Sequence, residues 1–206
     1  MKKNLAKNTG FTLIEMIIVV IILGLLAVTA LPRFIDIQEE AERSTVEGVA
    51  GGLAAAVGLV RGQWEVLGRP DNNTAINFID YDTTRVGIDP DIGYPTSGVD
   101  AAGNEIAGST ESTALTALKC QGVFNSVLQS APSNTVVATV AELEQNTYFV
   151  RHDADGAANG NGGVCLYYLV SALDINSPPA ANSPADTNLR GIEYTPATGV
   201  VRVFGN

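Results

Sequence analysis

The chain is 206 residues long, 46% hydrophobic by composition, and carries a formal net charge of −10. That length supports one long helix and one globular domain of about 140 residues. The net acidity and the scatter of the arginines along the chain exclude general binding to nucleic-acid phosphates, so we expect no nucleic-acid partner.

The N-terminal region divides into a short basic stretch, residues 1–10, and an apolar run. Three lysines and no acid precede Gly10, whereas only Glu15 is charged among the 21 residues from Phe11 to Leu31. A helix of that size would be about 31 Å long, close to the thickness of a bilayer's hydrocarbon core. A secretory signal peptide would place its small-residue cleavage site after the apolar run rather than before it. We therefore expect residues 11–31 to remain in the mature protein as a membrane-spanning helix.

Glu15 is an unusual residue for a membrane segment. An ionised acid at the bilayer centre costs about 2.5–3.5 kcal/mol, and less near the edge. Either the side chain reaches the interface or becomes protonated, or it awaits a cationic partner inside an assembly. We favour a cationic partner, because a plain membrane anchor has no use for a carboxylate.

The junction Gly10-Phe11-Thr12-Leu13-Ile14-Glu15, with the apolar run and Pro32 behind it, resembles the N-terminus of a type IV prepilin. The resemblance covers residues 10–65 densely. The segments 25–34 and 47–52 are most similar to pilins of the mannose-sensitive haemagglutinin (MSHA) pilus, and among these to a minor pilin. The resemblance implies a structural subunit of a type IV pilus that serves surface attachment. A membrane-anchored enzyme is disfavoured because the sequence offers no catalytic constellation, and we expect no cofactor.

The resemblance also implies how the chain is processed and assembled. A prepilin peptidase would cut between Gly10 and Phe11 and N-methylate Phe11, and Glu15 would act in assembly. The expected partners are other pilin subunits, packed through their N-terminal helices into a filament, together with an inner-membrane assembly platform and an ATPase. The precursor would cross the inner membrane once, and the assembled subunit would lie in an extracellular pilus.

The helical pattern continues beyond Pro32. Apolar residues recur at spacings of three and four from Val46 to Leu67, which predicts an amphipathic helical half, residues 32–66, that backs a globular domain. Pro32 lacks a backbone N–H and Gly24 weakens the same stretch, so the helix should kink or loosen just before Pro32. In related pilins the corresponding segment loosens on assembly.

The amphipathic half is rich in glycine, with Gly48, Gly51, Gly52, Gly58 and Gly62. Each glycine costs up to about 1 kcal/mol of helix stability relative to alanine. These residues either permit the close approach of another helix, as small residues do in membrane helix pairs, or reflect sequence drift on an exposed face.

Residues 67–206 are predicted to form a globular domain, which makes the chain α+β and type IV pilin-like, with the long helix packed on an antiparallel sheet. Turn-rich residues 67–110 predict a long variable loop. Residues 111–130 predict a small helix capped by Ser112 or Thr113. The sheet occupies residues 145–206, and its predicted strands are Thr147–Arg151, Val164–Ser171, Gly191–Thr195 and Val200–Phe204.

Cys120 and Cys165 are the only cysteines of the chain. The lysines before the apolar run place the N-terminus in the cytoplasm by the positive-inside tendency, and hence the domain in the periplasm. In that oxidising compartment two cysteines fit one disulfide, which would tether the small helix to the second strand. Two free buried thiols are the alternative. A zinc site is not expected, because it needs four ligands and no histidine cluster supports the cysteines.

Three weaker signals accompany this interpretation. His152 is the single histidine and no nucleophile motif accompanies it, so we expect it to be structural. The segment Asp153-Ala154-Asp155-Gly156 resembles an oxygen-rich calcium loop, but no glutamate closes it. A glycine-rich hairpin tip is the simpler interpretation, and calcium binding stays open. Asn72-Asn73-Thr74 fits the N-glycosylation triplet.

Two other functions remain open from the sequence. A pseudopilin of type II secretion has the same kind of N-terminus, although the long variable loop and the expected disulfide favour a pilin. A minor pilin at the filament tip would instead capture a ligand through residues 68–110.

Overall fold

The structure is a computed structural model of the chain, and it describes residues 10–70, 76–100, 102–154, 163–180, 185–186 and 188–205. The basic stretch before Gly10, the Asn72-Asn73-Thr74 triplet and the loop from Asp155 onwards lie outside the described residues, as does the side chain of Asp36. The chain divides into two compact units, Met1–Glu42 and Arg43–Asn206.

The first unit contains the beginning of α1 (Leu13–Val66), a helix whose last 24 residues belong to the second unit. The large apolar side chains from Leu13 to Leu31 are 49–77% exposed, on every side of the helix. A helix that is apolar all round is stable only when it is buried, in lipid or in a larger assembly. Among the described residues α1 is the one helix long and apolar enough to cross a membrane.

In the second unit, residues 43–66 of α1 bury one face in the main apolar core. The buried side chains follow the predicted spacing and include Val46, Val60 and Trp64, each at most 3% exposed. Leu67, predicted to end the stripe, lies beyond the helix and is 52% exposed. The amphipathic pattern is therefore confirmed from Val46 to Trp64 and wrong at Leu67.

A small antiparallel sheet lies within residues 67–110. Its strands are β1 (Phe78–Tyr81), β2 (Thr84–Ile88) and β3 (Pro95–Ser97), hydrogen-bonded in that order. The region is thus structured, in contrast to the long loop predicted. Strands of three to five residues between tight turns give too short a periodic pattern to stand out against the turn residues around them.

Asp89 fastens the connection between β2 and β3 to the segment that precedes the small helix. Its side chain is nearly buried and accepts three backbone hydrogen bonds. Oδ1 accepts from the N–H groups of Asp91 and Ile92 at 2.9 and 3.2 Å, and Oδ2 accepts from the N–H of Ser112 at 2.7 Å. A buried carboxylate needs such donors because burial removes its hydrogen bonds to water. The three hydrogen bonds also order the connection between β2 and β3.

The predicted small helix is a 3₁₀ turn, Ser112–Ala114, followed by α2 (Ala117–Val127). The residue that caps α2 is Thr116, whose side chain accepts a hydrogen bond from the N–H of Lys119 at 3.2 Å. The predicted caps, Ser112 and Thr113, are wrong because both residues belong to the separate 3₁₀ turn, in which the N–H of Ser112 is bound to Asp89.

The large sheet follows α2 and has five strands. In the order of the sheet these are β4 (Asn134–Thr135), β5 (Tyr148–Asp153), β6 (Val164–Leu169), β7 (Gly191–Thr195) and β8 (Val200–Phe204). A short helix, α3 (Val140–Gln145), connects β4 to β5. The predicted strands are all present, and the last two match residue by residue. The sheet is mixed rather than purely antiparallel, because the unpredicted β4 runs parallel to β5.

Both faces of the large sheet are covered, and every residue of β6 is buried. On one face Tyr167 and Tyr194 pack into the main core with α1 and α2. On the other face Leu166 and Tyr168 belong to a second apolar cluster, which Leu143 of α3 completes. Burial on both faces accounts for a continuous apolar strand in place of the alternation seen in half-exposed strands.

The predicted disulfide between Cys120 and Cys165 is confirmed, and the alternative of two free thiols is wrong. It joins α2 to β6, the second of the predicted strands, across a Cα–Cα distance of 5.4 Å. Both cysteines are fully buried. Beside them the Tyr167 hydroxyl donates a hydrogen bond to the Cys120 carbonyl at 2.8 Å, and Phe124 stacks on the Tyr167 ring.

Breaking the Cys120–Cys165 bond should lower the free energy of unfolding by about 4 kcal/mol, because the closed loop spans 45 residues. Urea unfolding of the detergent-solubilised protein, oxidised and reduced, measures the difference. A Cys120→Ala/Cys165→Ala variant is the matched control, since it lacks the bond in both conditions and should not respond to the reductant. Equal unfolding midpoints for the oxidised and reduced protein would contradict the prediction.

Candidate functional site

The candidate site lies where the chain enters α1. Gly10 and Phe11 precede the helix, which begins at Leu13, and both are exposed. Phe11 is 81% exposed. The peptide bond between them therefore lies in accessible, non-helical backbone, the arrangement that a peptidase requires of its substrate.

Thr12 and Glu15 form a reciprocal set of hydrogen bonds at this entry. The N–H and the hydroxyl of Thr12 both donate to Glu15 Oε2, each at 2.7 Å. The N–H of Glu15 donates in turn to Thr12 Oγ1 at 3.4 Å. This is the pattern of a capping box, in which the first residue and the acid three positions later satisfy each other's backbone donors. Sequence reasoning singled out Glu15 but missed Thr12, although the Thr-x-x-Glu spacing before an apolar run is a known signal for this motif.

The second carboxylate oxygen of Glu15, Oε1, accepts no hydrogen bond within the described part of the chain. Nor does Glu15 join any of the ion pairs found among the described residues. It is exposed and is surrounded along the helix by exposed apolar side chains, including Ile14, Met16 and Ile18. Any surface that covers these residues also covers a negative charge, which then needs a positive partner.

Gly24 and Pro32 both lie inside α1, which is helical throughout this stretch. The kink or loosening predicted just before Pro32 is therefore not a break of the helix in this structure, and loosening on assembly stays a prediction. Pro32 still deprives the carbonyl of Val28 of its helical donor. About one turn before Pro32, the Thr29 hydroxyl donates a hydrogen bond to the Leu26 carbonyl at 2.9 Å. This side-chain hydrogen bond competes with the backbone hydrogen bond that the Leu26 carbonyl accepts within the helix.

The glycines of the amphipathic half face open space. A Cβ atom added at Gly48, Gly51, Gly58 or Gly62 would meet nothing within 4 Å, and one added at Gly52 would only touch Leu128 at 3.7 Å. Packing among the described residues therefore does not require these glycines. Close approach by a helix of another chain and drift on an exposed face remain as explanations.

Within the described residues, the weaker signals of the sequence do not come together at one site. His152 lies in β5, where burial chiefly lowers its pKa and the neighbouring Asp153 carboxylate opposes that effect. Asp153 ends the same strand and is buried, whereas Asp155 lies outside the described residues. Among the residues that the structure describes, no group of three or more histidine, cysteine or acidic side chains is placed to hold a metal ion.

Comparison with known proteins agrees with this description of the N-terminus. The family described as the prokaryotic N-terminal methylation motif matches residues 5–31. Over 47 residues the chain is 43% identical to the type IV narrow pilus major component PilA5 of Thermus thermophilus, covering 23% of this chain and 40% of that protein. Over 97 residues it is 35% identical to fimbrial protein Q of Moraxella bovis, covering 46% of this chain and 53% of that protein.

The chain thus spans about half the length, or less, of these curated relatives. No solved structure gives a significant match. The long apolar helix and the α+β domain are typical of type IV pilins, and the methylation motif adds a similarity at the N-terminus. Both of these relatives are named as components of pili or fimbriae.

We predict that residues 25–31 are the weakest part of α1. Replacing Pro32 by alanine restores the missing N–H and removes a residue that costs about 3 kcal/mol in a helix interior. Amide hydrogen exchange of the protein in detergent micelles should be faster at residues 25–31 than at residues 16–22, and Pro32→Ala should slow it by up to roughly 100-fold. Equal protection of the two segments in the unaltered protein would refute the prediction.

Proposed function

We propose that this chain is a structural subunit of a type IV pilus, and more narrowly a minor pilin of an MSHA-like pilus that serves surface attachment. One observation carries the proposal. The apolar side chains of residues 13–31, which lie within the methylation motif, are exposed on every side of the helix, while residues 43–66 of the same helix bury one face in a folded domain. One half of α1 therefore needs a partner outside the subunit.

The mechanism of assembly would be an exchange of one apolar environment for another. Before assembly, residues 13–31 lie in the hydrocarbon core of the inner membrane. In the filament, the corresponding helices of other subunits surround them, so their apolar surface never meets water. The inner-membrane platform and the ATPase would supply the work of extraction.

The N-terminal lysines and the disulfide support the expected location of the precursor. The lysines before Gly10 favour a cytoplasmic N-terminus, which places the domain beyond the membrane in the periplasm. A buried disulfide between Cys120 and Cys165 is consistent with folding in that oxidising compartment. After assembly the domain would lie on the outside of an extracellular filament.

Cleavage between Gly10 and Phe11 would serve assembly in two ways. It removes the three lysines, which would otherwise bring uncompensated charge into an apolar filament core. It also creates a new α-amino group on Phe11, four residues before Glu15. We propose that Glu15 pairs with this group on a neighbouring subunit, because each charge is costly when buried alone and the two compensate when paired.

A pseudopilin of type II secretion is the alternative, since the methylation motif ends at residue 31 and such a motif does not separate the two classes. A second alternative is a minor pilin at the filament tip that binds a ligand through the β1–β3 region.

Deleting the protein and imaging the cells tests all three functions. Loss or thinning of surface filaments with intact protein secretion in the deletion strain supports the pilin. In cells that make the protein, antibody labelling of it only at filament ends supports the tip subunit. Normal filaments with lost secretion would contradict the proposal.

Filament protein should begin at Phe11 and carry one methyl group on its α-amino nitrogen. Intact-mass measurement of sheared filaments checks both points. Gly10→Val is the informative variant, because a side chain at Gly10 meets nothing within 4 Å and should leave folding unchanged while it blocks the peptidase. A chain that starts at Met1 in filaments would refute the cleavage.

Glu15→Ala should leave the protein stable in the membrane but impair its incorporation into filaments. Removing one partner of a buried ion pair costs about 3–5 kcal/mol, which is ample to prevent stable docking. The measurement is the ratio of filament to membrane protein, with Glu15→Asp as the charge-preserving control that should be partly active. Normal incorporation of Glu15→Ala would contradict the pairing.

A further inference from the structure

We propose that a groove on the folded domain of one copy of the chain receives Phe34 and its neighbours from α1 of a second copy. Each subunit of a filament then inserts this part of α1 into one neighbour and receives it from another. The inference rests on the proposed assembly into a filament. It adds a specific contact outside the apolar segment of residues 13–31, between two surfaces that the proposed function does not assign.

The domain groove lies beside α1 in the second unit and has a volume of about 480 Å³. Gly52, Ala55 and Leu59 line it from α1, and Tyr81 of β1 and Leu128 after α2 also line it. Leu59 is 61% exposed, and a Cβ atom added at Gly52 would touch only Leu128, at 3.7 Å. An apolar cavity of about 150 Å³ is enough for a benzene ring. The domain groove is therefore open and has room for a phenylalanine ring and a neighbouring aliphatic side chain.

The domain groove also carries a negative charge. Asp82, in the turn between β1 and β2, lines the groove and is exposed. It joins no ion pair among the described residues, and none of the described residues that line the groove is a lysine or an arginine. A partner that fits this groove should therefore combine apolar side chains with a positive charge.

The part of α1 just after the apolar segment offers this combination. Arg33, Phe34 and Ile37 are neighbours on the helix surface, because residues three and four positions apart share a face. Phe34 is 67% and Ile37 64% exposed, and Arg33 joins no ion pair among the described residues. We call these three residues the Phe34 patch.

The Phe34 patch lies too far along α1 for the hydrocarbon core of the membrane to cover it. Phe34 and Ile37 follow Leu31 by about 5 and 9 Å at the rise of an α-helix, and residues 11–31 already match the thickness of that core. In a filament, lipid is gone and the two side chains would meet water unless protein covers them. Assembly therefore requires a new apolar partner for this patch.

A second copy of the chain is the occupant that fits both surfaces. The Phe34 patch is basic and apolar, whereas the domain groove is acidic and apolar, so the two are complementary in charge and in polarity. Every copy carries one of each, on different parts of its surface. Contacts between two different surfaces of identical chains are heterologous, and such contacts build open helical filaments.

Filling the domain groove tests whether assembly uses it. Ala55→Trp places an indole in the groove, and Ala54→Trp is the matched control, because Ala54 is equally on the exposed side of α1 but does not line the groove. The ratio of filament to membrane protein should fall about tenfold for Ala55→Trp, as expected for overpacking a contact, and should be unchanged for Ala54→Trp. Equal incorporation of the two variants would overturn the inference.

A cross-linking experiment identifies the occupant of the groove. A Phe34→Cys/Leu59→Cys variant, treated with a short bis-maleimide in sheared filaments, should give chains of covalently linked subunits. A Phe34→Cys/Ala54→Cys variant should give few, and the native cysteines do not compete because both are buried in their disulfide. Incorporation of both variants without a preference for the Leu59 pair would show that the groove holds something other than the Phe34 patch, and would overturn the inference.

The charge contact is tested by a double-substitution cycle of Arg33→Gln and Asp82→Asn. Asparagine suits this position because the backbone of Asp82 has a φ of 56°, which asparagine tolerates. Each single variant should lower the ratio of filament to membrane protein about two- to fivefold, and the double variant should be no lower than either. Independent, multiplying losses would contradict the pairing of Arg33 with Asp82.

Failure of the inference and failure of the proposed function give different results. If the unaltered protein is absent from filaments, the proposed function is wrong. If it is present in filaments and Ala55→Trp is incorporated equally well, the proposed function stands and the contact between the Phe34 patch and the domain groove is wrong.

Discussion

Burial of one face of residues 43–66 of α1 is the interaction on which the second unit depends. The side chains from Val46 to Trp64 form one wall of the main core, and α2, the small sheet and the large sheet contribute most of the rest. Because that wall is apolar and continuous, the strand residues that face it are large and apolar too, among them Tyr167 and Tyr194. The disulfide joins α2 to β6 inside this same core, so it reinforces contacts that the helix already organises.

The entry to α1 meets a different constraint. The first turn of any helix has backbone N–H groups without helical partners, and in lipid such groups cost several kcal/mol each. Thr12 and Glu15 satisfy two of these groups between them. The Glu15 carboxylate adds a charge to an apolar segment, but it also helps to satisfy backbone N–H groups that would otherwise lack a hydrogen-bond partner at the start of the helix.

Local patterns in the sequence account for some elements and not for others. β7 and β8 were predictable to the residue, because β-branched residues are bounded by the turn at residues 196–199. β4 was not, because two residues carry no periodicity. The cap of α2 was misplaced because Ser112–Ala114 forms a separate 3₁₀ turn, tied to Asp89 by a contact distant in sequence, and α2 begins only after Thr116. At the candidate site, Glu15 stood out by its charge, whereas Thr12 is visible only as half of a spacing motif.

The disulfide also sets how far the chain extends under tension. A force applied between α1 and β8 crosses from Cys120 to Cys165 through the bond and bypasses the backbone between them, a sequence separation of 45. At roughly 3.4 Å per residue, that stretch would add about 150 Å of contour length if it were released. The last residues of α2, all of α3 and the whole of β5 lie within it. These elements therefore carry no tension while the disulfide is intact. The fully stretched oxidised chain is shorter than the reduced chain by the contour length of this segment.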